Sequence, residues 1–167
     1  MSKMRAFAVS GYSGTGKTTL IEKIIRSMVE SGYSVATIKS SIHHAGPDQG
    51  KDTLRHLQAG ASMTIFLNPS STSTTIRDRI DPEEWVKLTG HDFLIVEGMK
   101  SADMPKFWCV GNATIEPRDV PINTVAIVSW SDREVDWRED IPIISSENIK
   151  ELVEIIKLKS ADLSAIE

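Results

Sequence analysis

Cysteine is almost missing from this chain of 167 residues, Cys109 being the only one. An intrachain disulfide is therefore excluded, and the composition fits a reducing cytoplasm. Cys109 lies in an apolar stretch, where a packed small hydrophobe is expected rather than a nucleophile. No hydrophobic run approaches the length of a membrane span, and the apolar part of MSKMRAFAVSG is too short for a signal peptide. Basic excess is absent too. A net charge of −4 offers no broad cationic face to nucleic acid or to an anionic membrane. There is no internal repeat. What remains is 40% apolar and 25% charged residues, the balance of one ordinary domain with a real core.

Residues 11–18 read GYSGTGKT, a complete G-x-x-x-x-G-K-[ST] loop. Glycines at 11, 14 and 16 let the backbone turn tightly and bring its N–H groups against an anion. Lys17 adds positive charge near the β- and γ-phosphates, and the Thr18 hydroxyl is placed to ligate Mg²⁺. The apolar run 4–10 before the loop reads as a buried parallel strand. Behind it, Leu20, Ile21, Ile24, Ile25, Met28 and Val29 form one apolar stripe on a helix that Gly32 ends. This helix points the positive end of its dipole at the loop. Strand, loop and helix occur in the order that triphosphate binding requires.

The pattern predicts further strands at 35–39, 63–67, 72–77, 92–96, 106–110, 124–129 and 141–144, with 63–67 and 72–77 forming a hairpin around Asn68-Pro69-Ser70. Helices are expected at 51–59, with Leu54 and Leu57 inward and Gly60 as its stop, after an opening at Asp81-Pro82-Glu83-Glu84, and at about 147–158. The inner face of the last helix is Ile149, Leu152, Val153 and Ile156. The fold class is α/β, a P-loop NTPase with a mostly parallel doubly wound sheet and an inserted β-hairpin. One such domain is assigned to residues 1–159, with 160–167 as a frayed C-terminal tail.

Three other places carry chemistry. Glu97 follows four apolar residues, so its carboxylate emerges at a strand's C-terminal end beside the phosphate loop, where Mg²⁺ and attacking water are organised. Asp92 stands at the opposite end of that strand. The segment 39–52 holds Lys39, His43, His44, Asp48, Lys51 and Asp52 and has the position of a nucleotide-sensing switch, with an Asp reaching Mg²⁺. Adjacent histidines with no third ligand nearby argue against a zinc site. Lys39 and Lys51 either hold a second anion or are solvated. Asp132, beyond a late strand, can accept hydrogen bonds from guanine N1–H and N2–H₂, although the Asn-Lys-x-Asp run is absent.

Taken together, GYSGTGKTTL, IKSSIHHAGPDQGKDTLRHLQAGA and DFLIVEGMKSADMPK resemble the MobB family of molybdopterin-guanine dinucleotide biosynthesis, over about residues 5–132. The resemblance implies a cytoplasmic GTP-binding homodimer with weak GTPase activity. It would assist guanine-nucleotide attachment to molybdenum cofactor beside the nucleotidyltransferase MobA and molybdopterin, with no nucleic acid or membrane as partner. It further implies that Gly11, Ser13, Gly14, Thr15, Gly16, Lys17, Thr18 and Thr19 form the phosphate site. Thr18, Asp52 and Glu97 would serve Mg²⁺, Lys17 and Glu97 hydrolysis, and Asp132 the guanine of GTP. Two alternatives stay open: a small-molecule kinase, though the arginines are scattered and form no lid cluster, and a GTP-switched metallochaperone or adaptor using His43 and His44.

Overall fold

The computed structural model describes residues 4–40, 51–78, 90–131 and 140–163. Nine strands and three helices follow in the order β1 Arg5–Gly11, α1 Lys17–Glu30, β2 Val35–Ser40, α2 Lys51–Ala59, β3 Met63–Asn68, β4 Ser71–Ile76, β5 Phe93–Glu97, β6 Lys106–Gly111, β7 Thr124–Ser129, β8 Ile143–Ser145, α3 Ile149–Lys159 and β9 Ala161–Asp162. One sheet runs β4-β3-β2-β5-β1-β6-β7-β8. Its neighbours pair parallel except the β3–β4 hairpin, which is antiparallel with Asn68 opposite Ser71. The alternation expected from the sequence is thus present, with the hairpin at one edge. Asp81 and the helix opening after it lie outside the described residues.

Side chains alternate across a strand, so the two faces separate by parity. Phe7, Val9, Phe93, Ile95, Phe107 and Cys109 point to the face covered by the helices, where Ile21, Ile24, Ile25, Leu152 and Ile156 meet them. Phe7 and Phe107 pack edge to face with ring centroids 4.6 Å apart. Burying each such side chain contributes about 1.5–3 kcal/mol. On the other face, Ala6, Ala8, Ala36, Leu94 and Val96 lie under Ala102 and Met104 from the β5–β6 connection. Trp108, Val110 and Ile127 lie beside Ile115 and Val120 from the β6–β7 connection. Strand β5 is buried along its whole length, and so it delivers Glu97 into the interior.

Two expectations are corrected. Leu54 does not face inward: it is 53% exposed, and α2 buries His56 and Ala59 instead. A leucine can sit at the edge of an amphipathic stripe at small cost, whereas His56 has polar partners waiting below it. The segment after Lys159 is not frayed through Leu163. Strand β9 pairs antiparallel with β1 through Arg5–Asp162 and Ala6–Ala161, next to the stretch where β1 pairs with β6. The Arg5 guanidinium donates to the carbonyls of Lys157 (2.6 Å) and Ser160 (2.9 Å), fastening this end.

Candidate functional site

The phosphate loop leaves β1 at Gly11, where a Cβ would lie 2.2 Å from the Cys109 carbonyl oxygen of β6. Only glycine lets the two strands stay paired there. Gly16 caps α1 in the left-handed conformation (φ 79°), and its missing side chain leaves room for the Trp130 indole. Ser13 and Gly14 form the exposed crest, and the Thr15 hydroxyl donates to the Tyr12 carbonyl (2.8 Å). Lys17 bends back over the loop, its ammonium donating to the carbonyls of Tyr12 (2.6 Å) and Gly11 (3.2 Å). Burial lowers the Lys17 pKa, partly countered by the charge of Glu97.

Glu97 is the hub. Oε1 accepts from the Thr18 hydroxyl (3.0 Å) and from the Lys39 ammonium in a close ion pair. Oε2 lies 3.2 Å from His56 Nε2, an approach that is not aligned as a hydrogen bond, so among the described residues this buried acceptor has none. Burial pushes the Glu97 carboxyl up, but His56 and Lys39 more than offset it and hold it at about 2. His56 is fully buried, with Nδ1 at 3.2 Å from the Thr37 hydroxyl. Lys39 also reaches Asp52, 3.2 Å away in the first turn of α2. Burial lowers the Lys39 pKa and the Glu97 carboxylate outweighs it, for a net rise.

The structure therefore links Thr18 to Glu97 and, through the Lys39 ammonium, Glu97 to Asp52, the three residues singled out for Mg²⁺. Among the described residues no group of three His, Cys, Asp or Glu side chains is spaced to hold a metal by itself. The oxygens of Thr18, Glu97 and Asp52 are the hard donors Mg²⁺ prefers, usually completed by water and phosphate. Glu97 Oε1, on the side of Thr18 and of the ammonium that Asp52 shares, gives such a cation an acceptor, so the residues fit. Thr19 lines the cleft beside the loop and accepts from Arg55 (3.0 Å), which also grips Glu22 through two bonds of 2.8 and 2.9 Å. Asp92 is far from the loop, as expected, accepting from Ser34 at the other end of β5. Asp132, His43, His44 and Asp48 lie outside the described residues.

Beside the loop is a cleft of about 280 Å³ lined by Thr15, Gly16, Lys23, Val128, Trp130 and Glu147. Trp130, half exposed, donates from its indole N–H to the Thr15 carbonyl (2.9 Å). Sequence reading missed the parts played by His56, Arg55 and Trp130. A histidine two positions after a leucine on an otherwise amphipathic helix was the one available signal for the first.

Comparison with known proteins agrees with this geometry. The model of the family MobB, molybdopterin guanine dinucleotide synthesis protein B, matches residues 6–130. A molybdopterin-guanine dinucleotide biosynthesis adapter protein of Haemophilus influenzae is 36% identical over 104 residues, 59% of this chain and 58% of that protein. The protein of that name from Escherichia coli is 27% identical over 158 residues, 89% of each chain. The crystal structure of Bacillus subtilis MobB superposes with a TM-score of 0.59 at 26% identity, covering 95% of this chain and 99% of that one. The fold alone is shared with the hydrogenase maturation factor HypB from Archaeoglobus fulgidus, at a TM-score of 0.56 and 16% identity over 93% of this chain and 90% of that one. With three quarters of its length matched and its phosphate loop, Glu97 and α2 side chains assembled at one place, the chain belongs to the molybdopterin guanine dinucleotide synthesis protein B family.

Proposed function

We propose that this protein binds GTP with Mg²⁺ and acts as an adapter in forming molybdopterin guanine dinucleotide, hydrolysing GTP only slowly. The observation that carries the nucleotide part is the buried Glu97, whose Oε1 accepts from Thr18 of the phosphate loop and from the Lys39 ammonium that Asp52 shares. Residues 13–18 present backbone N–H groups to the phosphates. Lys17 exchanges the carbonyls of Gly11 and Tyr12 for phosphate oxygens. Thr18, Glu97 and Asp52 would hold the ion, directly or through water. When bound, Mg²⁺ supplies the charge that neutralises the β- and γ-phosphate oxygens. Glu97, ionised throughout the neutral range, accepts a hydrogen bond from a water near the γ-phosphate. His56 and Lys39 keep it in that state.

The charge inventory of the described residues supports slow hydrolysis. Arg55 reaches Thr19 at the edge of the phosphate site and lies 3.9 Å from Asp52, but two bonds to Glu22 hold its guanidinium there. The cationic group that speeds phosphoryl transfer is therefore not in place within the described chain. The adapter role rests on the names of the relatives, and pairing with a guanylyltransferase of the MobA kind would give bound GTP a use. Strand β4 supports a homodimer. Its residues Ser71 to Thr75 are exposed on an open sheet edge, with neither Lys nor Pro to block pairing with a second chain. Isothermal titration with Mg²⁺-GTP and Mg²⁺-ATP tests the nucleotide reading. GTP is expected to bind at least tenfold more tightly; equal or tighter ATP binding would overturn it.

A further inference from the structure

A second cleft, of about 620 Å³, opens on the sheet face opposite the helices, between the β5–β6 and β6–β7 connections. The phosphate loop does not line it. At its wall is Lys106, the first residue of β6, only 1% exposed. The ammonium donates to the carbonyls of Lys100 (2.8 Å) and Ala102 (2.5 Å), which leaves one of its three N–H groups without a partner among the described residues. Burial lowers its pKa, and Asp103 nearby opposes this only in part.

The surrounding charges are unevenly committed. Asp103 accepts from the Asn123 amide (2.5 Å), and Asp119 accepts from the Tyr12 hydroxyl (2.7 Å). Lys100 and Arg118, both exposed on the rim, form no ion pair with a described residue. Two carboxylates with hydrogen-bond partners thus face three cations, one of them buried against neutral carbonyls only. A buried charge is ordinarily paired with an opposite one, because neutral acceptors replace only part of its lost hydration. Val120, Pro121 and Ile122 add an apolar side, with Ile122 85% exposed.

We propose that this cleft is a second anion site, in which Lys106, Lys100 and Arg118 hold the phosphate of a small-molecule phosphate monoester whose body rests on Val120 to Ile122. The volume suits a molecule of nucleotide size. Arg118 can fork onto two phosphate oxygens, and Lys106 offers a fixed point charge beneath them. The site also touches the nucleotide loop mechanically, because Tyr12 stands within that loop and its hydroxyl holds Asp119 in the turn beside Arg118.

Hydrogen–deuterium exchange tests the assignment in protein carrying Lys17→Ala, so that the phosphate loop itself is disabled. The probes are inorganic phosphate and a pterin phosphomonoester. The choice of pterin rests on the biosynthetic reading above, and the anion site does not. Both are expected to slow exchange in residues 99–106 and 117–123, the pterin compound at lower concentration. Adding Lys100→Ala and Arg118→Ala, two surface changes that leave the fold intact, is expected to weaken the protection about tenfold. Unchanged exchange in both segments, slowing confined to residues 11–19, or undiminished binding by the rim variant would overturn the proposal. Failure of GTP binding in the unmodified protein would leave these outcomes unaffected, so the two readings fail separately.

Discussion

Glu97 and Lys106 are equally buried, at 1% exposure each, but on opposite faces of the sheet, and their charges are answered in opposite ways. Glu97 is met by the Lys39 ammonium, the His56 imidazole and the Thr18 hydroxyl, and is held at about 2. Lys106 hydrogen-bonds only to carbonyls, and burial lowers its pKa with Asp103 opposing this only in part. The difference teaches where each face expects its ligand's charge. On the helix face the buried charge is paired directly, through the Lys39 ammonium at Glu97 Oε1. On the opposite face the buried charge has no ion pair with a described residue and only Asp103 acting on it from nearby.

The largest effect should come from breaking the Glu97 side of this contrast. Glu97→Ala leaves His56 buried without its carboxylate and Lys39 with Asp52 alone, and it should destabilise the fold by about 3 kcal/mol, the lower end for removing one partner of a buried pair. Urea unfolding would measure it. The same group sets an acid limb. Its folded pKa, about 2, lies below the ordinary 4.5, so the stabilisation is complete above pH 4.5 and is lost as pH falls through 2. That shift corresponds to about 3 kcal/mol. Glu97→Gln should flatten the stability profile between pH 4.5 and 2; an unchanged profile would show that Glu97 is not held low.

Next in size is Lys17→Ala, which leaves the fold in place but removes charge-assisted bonds worth about 1.5–3 kcal/mol each. GTP affinity measured by calorimetry should fall between about tenfold and a hundredfold. The smallest effect should come from Lys106→Met. Relief of an unanswered buried charge offsets the two carbonyls it abandons, for a net change within about 1 kcal/mol at pH 7. The sign appears at alkaline pH. A lysine with lowered folded pKa binds fewer protons folded than unfolded, so the parent gains stability as pH rises toward 10.5, and the variant lacks that gain. Parallel thermal-stability profiles for the two proteins would refute the inequality of the faces.

Much of the helix face was legible from residue order. An acid after four apolar residues had to surface at a strand end, and the glycine-rich loop fixed which end mattered. Helix α2 was bounded correctly at Lys51–Ala59, yet its inner face was misread. Apolarity favoured Leu54, while the interior needed the imidazole of His56 between Thr37 and Glu97. Periodicity scores a histidine as polar and cannot see a carboxylate supplied 41 positions later by another strand. Trp130 escaped for a similar reason, since its bond to Thr15 joins residues 115 apart. Lys106 read as an ordinary strand residue because its partners are backbone carbonyls, which every residue carries.

Strand β9 is two residues long, yet it borders the strand from which the phosphate loop springs. A chain stopped at Lys159 would leave Arg5 and Ala6 paired with β5 alone and free the Arg5 side chain from Ser160. Warming would then unzip the sheet from that bared corner, and the nucleotide cradle, rooted five residues further on, would be the first functional part to lose its footing.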